Sequence, residues 1–391
     1  SEMSREDLTF ADVSAPEVLA ALNRRLGADL VKPPTIRHVF DWIRVDVPNR
    51  APRLLALLGE SEGRVRWYLP LAAYPYKLRL RLGPATLWRA GVTRVDSRDL
   101  QTLYSGVSAL AEAEAEAEAR ILLALSRLRR ELPADAILFF ASIPENSAAT
   151  RAFAESARRH DGYLALRYGS TYMHRKADIS GGLEAYLARL GSKTRADLRR
   201  TRRRFLETTG GDTELFVAKT DSDLDRLVDT VLSVAPSTWQ YRQENAGPRD
   251  RSALLHKGRE ALRRNMLRSY VLYAEKQPIA FQIGYVSNGV FEAHEIGYDP
   301  AWRRSQPGIV LHMSVVEDLG NSAPEVRCFD FGITDRLHKA RLSTEASEGG
   351  FYYLLPNSIR GRLLHSGLRS TMALTDRLKV LKARLAQHRR A

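Results

Sequence analysis

Between Phe291 and Gly332 the chain reads as a strand, a basic turn, a helix and a second strand. The run Phe291-Glu-Ala-His-Glu-Ile-Gly-Tyr-Asp-Pro300 leads into Ala301-Trp-Arg-Arg-Ser-Gln-Pro-Gly308, and an apolar helix and Cys328-Phe-Asp-Phe-Gly332 follow. A helix that starts directly after such a turn aims unpaired backbone N–H groups into it, a setting that favours an anion such as a pyrophosphate. Gly308 lets a ligand approach the backbone closely, and Pro307 suits a first helical turn. Arg303, Arg304 and Gln306 add charge and donors, and with Gly308 and Ile309 they form the expected anion site.

On a regular strand, residues two apart share a face. Glu292, His294, Ile296 and Tyr298 are therefore expected on one side of the first strand, and Phe291, Ala293 and Glu295 on the other. A carboxylate or neutral imidazole beside an amine can take its proton as the amine attacks a carbonyl. Glu292 and His294 are thus candidate bases, with Tyr298 a candidate proton donor; a partly exposed strand with ordinary polar residues is the plainer reading. Asp330, near the end of the short strand, is placed to orient an amine or a base, or to cap the next turn. Lys339 and Arg341 follow as candidate ligands for phosphate or carboxylate.

The rest of the chain reads as alternating strands and helices. Its 391 residues, 44% of them hydrophobic, suffice for two or three domains. A helix over Ala15–Leu26 precedes a β-rich stretch to about residue 100, and residues 98–130 are strongly helical. Ala136–Ala141 is a buried strand, Leu164–Tyr168 and Thr171–His174 are two more, and a first α/β module ends at residue 175. Residues 176–356 repeat the theme, with helices at 183–190, 193–208, 224–234 and 251–266 and a hairpin over 269–286. Residues 357–391 read as a basic tail of two short helices. The fold class expected is α/β (α+β), each module a mixed, mostly antiparallel sheet flanked by helices.

A formal charge of +14 favours anionic partners without choosing among coenzymes, nucleic acid and an acidic membrane face. The helix from Lys193 to Phe205 carries seven basic residues against one acid. It is either a solvated face or a landing site for a phosphate-rich ligand. Arg195 and Arg199 on it, and Trp239 and Tyr241 in the loop beyond, are the expected substrate contacts. A lone cysteine, Cys328, excludes an intrachain disulfide framework and fits a reducing cytoplasm. Histidines do not cluster at metal spacing, so no metal is expected. No apolar run reaches transmembrane length and no signal-peptide core is visible, though peripheral membrane contact stays open. Phosphate-binding P-loop, dinucleotide, zinc-protease and hydrolase-elbow signatures are absent.

In their order, these pieces resemble the GNAT-fold acyltransferases, and within them the cellulose-biosynthesis-type (CelD/BcsL-like) acetyltransferases, which are similar to Fem-type aminoacyltransferases. Lys193-Thr-Arg-Ala-Asp-Leu-Arg-Arg, Pro278-Ile-Ala-Phe-Gln, Gly297-Tyr-Asp-Pro, Gln306-Pro-Gly-Ile-Val-Leu311 and Phe329-Asp-Phe-Gly332 with Lys339 carry the resemblance. His338 stands where that family often has Tyr, and the Asp330–Gly332 spacing is shorter than its pattern. The resemblance implies two tandem GNAT-like modules. It also implies acetyl-CoA or another acyl-CoA as donor, its pyrophosphate near Gly308, and an amine-bearing small molecule, amino acid or peptide as acceptor. Two alternatives remain at this level: a Fem-like transferase using aminoacyl-tRNA, and a non-catalytic RNA- or membrane-binding protein on the same scaffold.

Overall fold

A computed structural model describes residues 7–29, 35–46, 52–82, 85–97, 111–238, 241, 249–333 and 337–388. Its strands, in chain order, are β1 (Asp7–Asp12), β2 (Arg53–Ser61), β3 (Arg64–Leu82), β4 (Ala85–Ser97), β5 (Ala136–Pro144), β6 (Tyr163–Asp178), β7 (Thr213–Ala218), β8 (Ser269–Ala274), β9 (Gln277–Ser287), β10 (Val290–Tyr298), β11 (Cys328–Asp330) and β12 (Glu345–Pro356). The segments read as two strands around residues 164–174 form one, β6, which passes through Gly169 at φ +80° without ending.

The chain divides into two compact units that interleave along the sequence, unlike the three consecutive spans expected. The first comprises Ser1–Lys32, Val47–Thr171 and Gly349–Ala391; the second comprises Pro33–Asp46 and Tyr172–Glu348. In the first unit the strand order is β1-β2-β3-β4-β5-β12, with β4 and β5 parallel and the other described pairs antiparallel. One face buries Trp67, Leu138 and Phe140 against Leu125 and Phe153 of the helices Ala111–Glu131 and Ala148–Arg158. The other face, with Leu78, Ile137 and Tyr353, is covered by Leu364 and Leu368. Those two residues belong to a single helix, Ile359–His388, where two short helices were expected. Gly367 does not break it, because this is where the helix lies directly on Leu80.

In the second unit the order is β6-β11-β10-β9-β8-β7, with only β10 and β11 parallel among the described pairs. One face packs Phe291 and Phe329 beneath Leu311 and Val315 of the helix Pro307–Ser322, with the helices Gly182–Arg189 and Ser192–Thr208 alongside. The other packs Phe281 and Tyr285 against Trp42, Leu227 and Val231, on the helices Phe40–Asp46 and Asp221–Val234. The latter helix starts in a capping box of Thr220 and Asp223, which satisfies two otherwise orphaned amides. Strand alternation therefore gives each sheet two buried faces, and helices of 3.6-residue period supply the covers.

The helices Gly182–Arg189 and Pro307–Ser322 meet glycine to glycine. A Cβ on Gly320 would lie 2.6 Å from the Gly182 Cα, a backbone atom that cannot swing aside. At an uncrowded helical position Gly→Ala gains about 1 kcal/mol. Here Gly320→Ala is expected to destabilise instead, by roughly 1–3 kcal/mol as in other overpacked sites. Urea denaturation of the variant checks this.

Candidate active site

The site is organised by a β-bulge at His294. Along β10 and β9, Glu292 opposes Tyr285 and Ala293 opposes Gly284, but Glu295 opposes Ile283, so His294 is an extra residue in the ladder. One inserted residue reverses the alternation of everything after it. Glu292 and His294 consequently stay on the side of Trp42 and Tyr285. Tyr298 turns to the opposite side, into the core beneath the helix Pro307–Ser322, with its ring beside Gly308. The expectation of one face shared by Glu292, His294, Ile296 and Tyr298 is thereby corrected.

Glu292 sits in a row of directly opposed residues that crosses four strands: Lys176 on β6, Asp330 on β11, Glu292 on β10 and Tyr285 on β9. Opposed residues share a face, with Cβ atoms about 5 Å apart. Two carboxyl groups are thus neighbours, and their surroundings drive them apart. Burial works to raise the Asp330 carboxyl. His174 and Lys176 and the Gly332 N–H outweigh it and hold Asp330 below its ordinary value. His174 Nε2 lies 2.7 and 2.9 Å from its two oxygens, the Gly332 nitrogen donates at 2.7 Å, and Lys176 Nζ stands at 4.0 Å. An ionised carboxylate only accepts, so the His174 Nε2 carries the proton.

Glu292 has less help. Only 8% exposed, it is pushed up to about 7, chiefly by burial and further by the charge of Asp330, against the opposing influence of Arg37, the Ile36 backbone N–H and Lys176. Its Oε2 lies 3.3 Å from His294 Nε2. Its Oε1 is buried and has no hydrogen-bond partner among the described residues. The His294 ring is set edgewise against Tyr285 and Trp42, with centroids 4.8 and 5.5 Å away, so its rotation is restricted. A protonatable carboxyl near neutrality, one oxygen unused, beside a fixed imidazole is an arrangement for proton transfer.

The parallel pairing of β10 with β11 ends at Glu292–Asp330, while β10 runs on to Tyr298. The two strands part here, and β10 continues for six residues beyond this pairing, about 20 Å at strand rise. At the far end of this gap the helix Pro307–Ser322 begins. Gln306 is left-handed (φ +52°), and its carbonyl accepts from the amides of Ile309 (3.0 Å) and Val310 (3.3 Å). Pro307 has no N–H. The array of free amides expected at this turn therefore reduces, among the described residues, to that of Gly308. Arg303, Arg304 and Gln306 are exposed around it, on a 3₁₀ turn packed against the helix Ser192–Thr208.

Other expected residues are engaged elsewhere. Lys339 Nζ donates to the Phe331 carbonyl at 2.6 Å and so ties down the segment after Asp330. Arg195 reaches the Ala188 carbonyl at 3.4 Å, Arg199 pairs with Glu184, and Arg341 pairs with Asp197. Tyr241 lies under the Arg249 guanidinium, 3.6 Å from its ring centre. Trp239 lies outside the described residues. An open cavity of about 630 Å³ lies over Arg199, Arg202, Leu206 and Gly210, away from the Glu292 row. Among the described residues no group of His, Cys, Asp and Glu is arranged to hold a metal ion.

Sequence reasoning missed His174, Lys176, Arg37, Trp42 and Tyr285. His174 and Lys176, two apart on one strand, left a legible signal of a polar face. Arg37 and Trp42 arrive from some 250 residues earlier in the chain and leave none.

Residues 192–340 match the acetyltransferase (GNAT) domain. No curated protein matches the chain. Among solved structures, a crystal structure of FemX is similar with a TM-score of 0.58 at 9% identity, over 88% of this chain and 98% of that one. The C-terminal domain of a protein described as a lysylphosphatidylglycerol synthetase, from Agrobacterium fabrum, is similar with a TM-score of 0.50 at 12% identity, over 88% and 94% of the two chains. At these identities the likeness is one of fold.

The Glu292 environment carries a stability signature. Its folded-state pKa of about 7 exceeds the ordinary 4.5, so between those values the folded protein keeps a proton that the unfolded chain has released. Stability from this group is therefore full below the unfolded pKa and is lost as pH rises through about 7, a loss on the order of 3 kcal/mol. Glu292→Gln should remove that pH-dependent loss, leaving the variant more stable than the parent at pH 8 (the test pH) but not at pH 4. Urea titrations at both pH values measure it.

Proposed function

We propose, for a chain that carries a GNAT acetyltransferase domain over residues 192–340, that its second unit transfers an acyl group from an acyl-CoA to an amine. Acetyl-CoA is the simplest donor, and a small molecule, amino acid or peptide supplies the amine. The observation that carries this reading is the buried Glu292 carboxyl, held near neutrality with one oxygen unused, at the point where β10 and β11 part.

In this reading the thioester lies in the gap between those strands, with its pyrophosphate against the Gly308 N–H and beside Arg303, Arg304, Gln306 and Ile309. The neutral amine approaches from the Glu292 side and attacks the thioester carbonyl, whose oxygen is polarised by a backbone N–H of β10. The C–N bond forms, Glu292 takes the amine proton with His294 as its partner, the C–S bond breaks, and the thiolate leaves. Tyr298, on the opposite side beside Gly308, is the proposed proton donor to that thiolate. The bulge thus separates an acceptor side from a donor side. Asp330, fixed by His174, orients Glu292, and Lys339 acts through the Phe331 carbonyl rather than on the donor phosphates. Arg195, Arg199, Trp239 and Tyr241 serve as outer substrate contacts. Such donors belong to the cytoplasm, and the lone Cys328 suits it.

A second reading keeps the chemistry and changes the donor to an aminoacyl-tRNA. It is favoured by the +14 charge and by the exposed basic helix Ser192–Thr208. Thermal-shift measurements against acetyl-CoA, longer acyl-CoAs and charged tRNA separate the two, because the donor that binds raises the melting temperature by mass action. Steep salt dependence accompanies tRNA.

For either donor, Glu292→Gln should lower kcat by about 10²–10⁴, and His294→Ala by a smaller factor, with donor affinity nearly unchanged. The parent rate should climb as pH rises through about 7, as Glu292 loses its proton. Full rates in both variants would remove Glu292 and His294 from the reaction.

A further inference from the structure

The first unit carries an apolar surface that the proposed chemistry does not use. The helix Ile359–His388 has two apolar stripes. Leu364 and Leu368 face the sheet and are buried. Ile359 and Leu363 face solvent, 83% and 70% exposed, and Leu374 and Leu378 are exposed further along. At 3.6 residues per turn these four fall within an arc of about 100°, away from the buried stripe. Arg362 and Arg369 flank that arc on one side and Arg360 on the other. The helix is anchored where its outer stripe begins: Arg360 donates to the Gly91 carbonyl at 2.6 Å and Arg362 to Asn357 Oδ1 at 2.8 Å. Trp88, the register partner of Leu80, is 54% exposed on the sheet face that this helix covers.

We infer that this outer face of the helix Ile359–His388 docks on an anionic lipid surface, lying in the plane of the bilayer. The charge identifies the occupant. Residues 357–391 hold nine Lys and Arg against one Asp, so a second copy seated on this face would meet a like-charged one. Nucleic acid would satisfy the arginines but would leave Ile359 and Leu363 in water. A bilayer of anionic lipids satisfies both, with aliphatic side chains in the boundary of the acyl chains and guanidinium groups among the phosphates. Among the described residues no helix is long and apolar enough to cross a membrane, so the contact is lateral. This inference does not depend on the acyl-transfer reading.

The test is co-sedimentation of the full chain with vesicles of phosphatidylcholine, with and without phosphatidylglycerol. Binding is expected only with phosphatidylglycerol, and should fall as salt is raised. The double variant Arg362→Ala/Arg369→Ala should lose roughly twenty-five-fold in partitioning, since each basic residue near an anionic surface contributes about fivefold. Ile359→Asp/Leu363→Asp should lose binding while keeping the parental melting temperature, because both positions are exposed. Sedimentation equal to the parent in the aspartate variant, or no binding to phosphatidylglycerol vesicles, overturns the inference. So does binding to single-stranded RNA, or self-association through this face, in place of vesicle binding.

Discussion

Three residues of parallel strand pairing hold the candidate site together. Val290–Glu292 lies against Cys328–Asp330, and the pairing is locked by Phe291 and Phe329, both buried, with ring centres 4.9 Å apart. His312 of the overlying helix sets its ring edge against Phe329 and is itself bonded to Tyr186 at 3.0 Å. This packing fixes the register that puts Asp330 beside Glu292. It also fixes where the strands separate, because Gly332 turns away at φ +73° while its amide is held by Asp330. A slip of one residue in either strand would send that strand's carboxyl group to the other face and separate the pair.

The electrostatics follow from that register. Neighbouring carboxyl groups resist ionising together, so whichever is better supplied with donors takes the charge and the other keeps its proton. Asp330 has an imidazole, an amide and a lysine within reach, and they outweigh its burial. At Glu292, the imidazole of His294, the Ile36 amide and the charges of Arg37 and Lys176 do not offset burial. The division of labour between fixed anion and titratable group is therefore set by neighbours on three other segments. The bulge at His294 adds the second asymmetry, with Glu292 and His294 on one side of β10 and Tyr298 on the other.

Much of the fold was legible because it rests on local periodicity. The helix with apolar residues at 224, 227, 228, 231 and 232 and the hairpin around Pro278 follow from spacing and turn chemistry alone. So does the strand–turn–helix order around Gly308, whose likeness to GNAT acyltransferases the domain match supports. Glu292, His294 and Asp330 stood out as polar residues on strands otherwise built for a core. What failed was anything that needed a count across strands. Strict alternation put Tyr298 beside Glu292, and only the ladder reveals the extra residue between them. The free amides expected at the helix start were also overestimated, because a left-handed Gln306 lets its carbonyl collect two of them.

By itself the sequence determined the elements, the basic charge, the strand–turn–helix that frames the gap and the identity of the titratable groups, since periodicity and composition are properties of neighbours along the chain. Only the tertiary structure decided which of those groups meet. His174, Lys176, Arg37 and Trp42 come to the Glu292, His294 and Asp330 cluster from distant segments, and the pKa of a carboxyl is set by what surrounds it in space and how much water is removed, which no local pattern encodes.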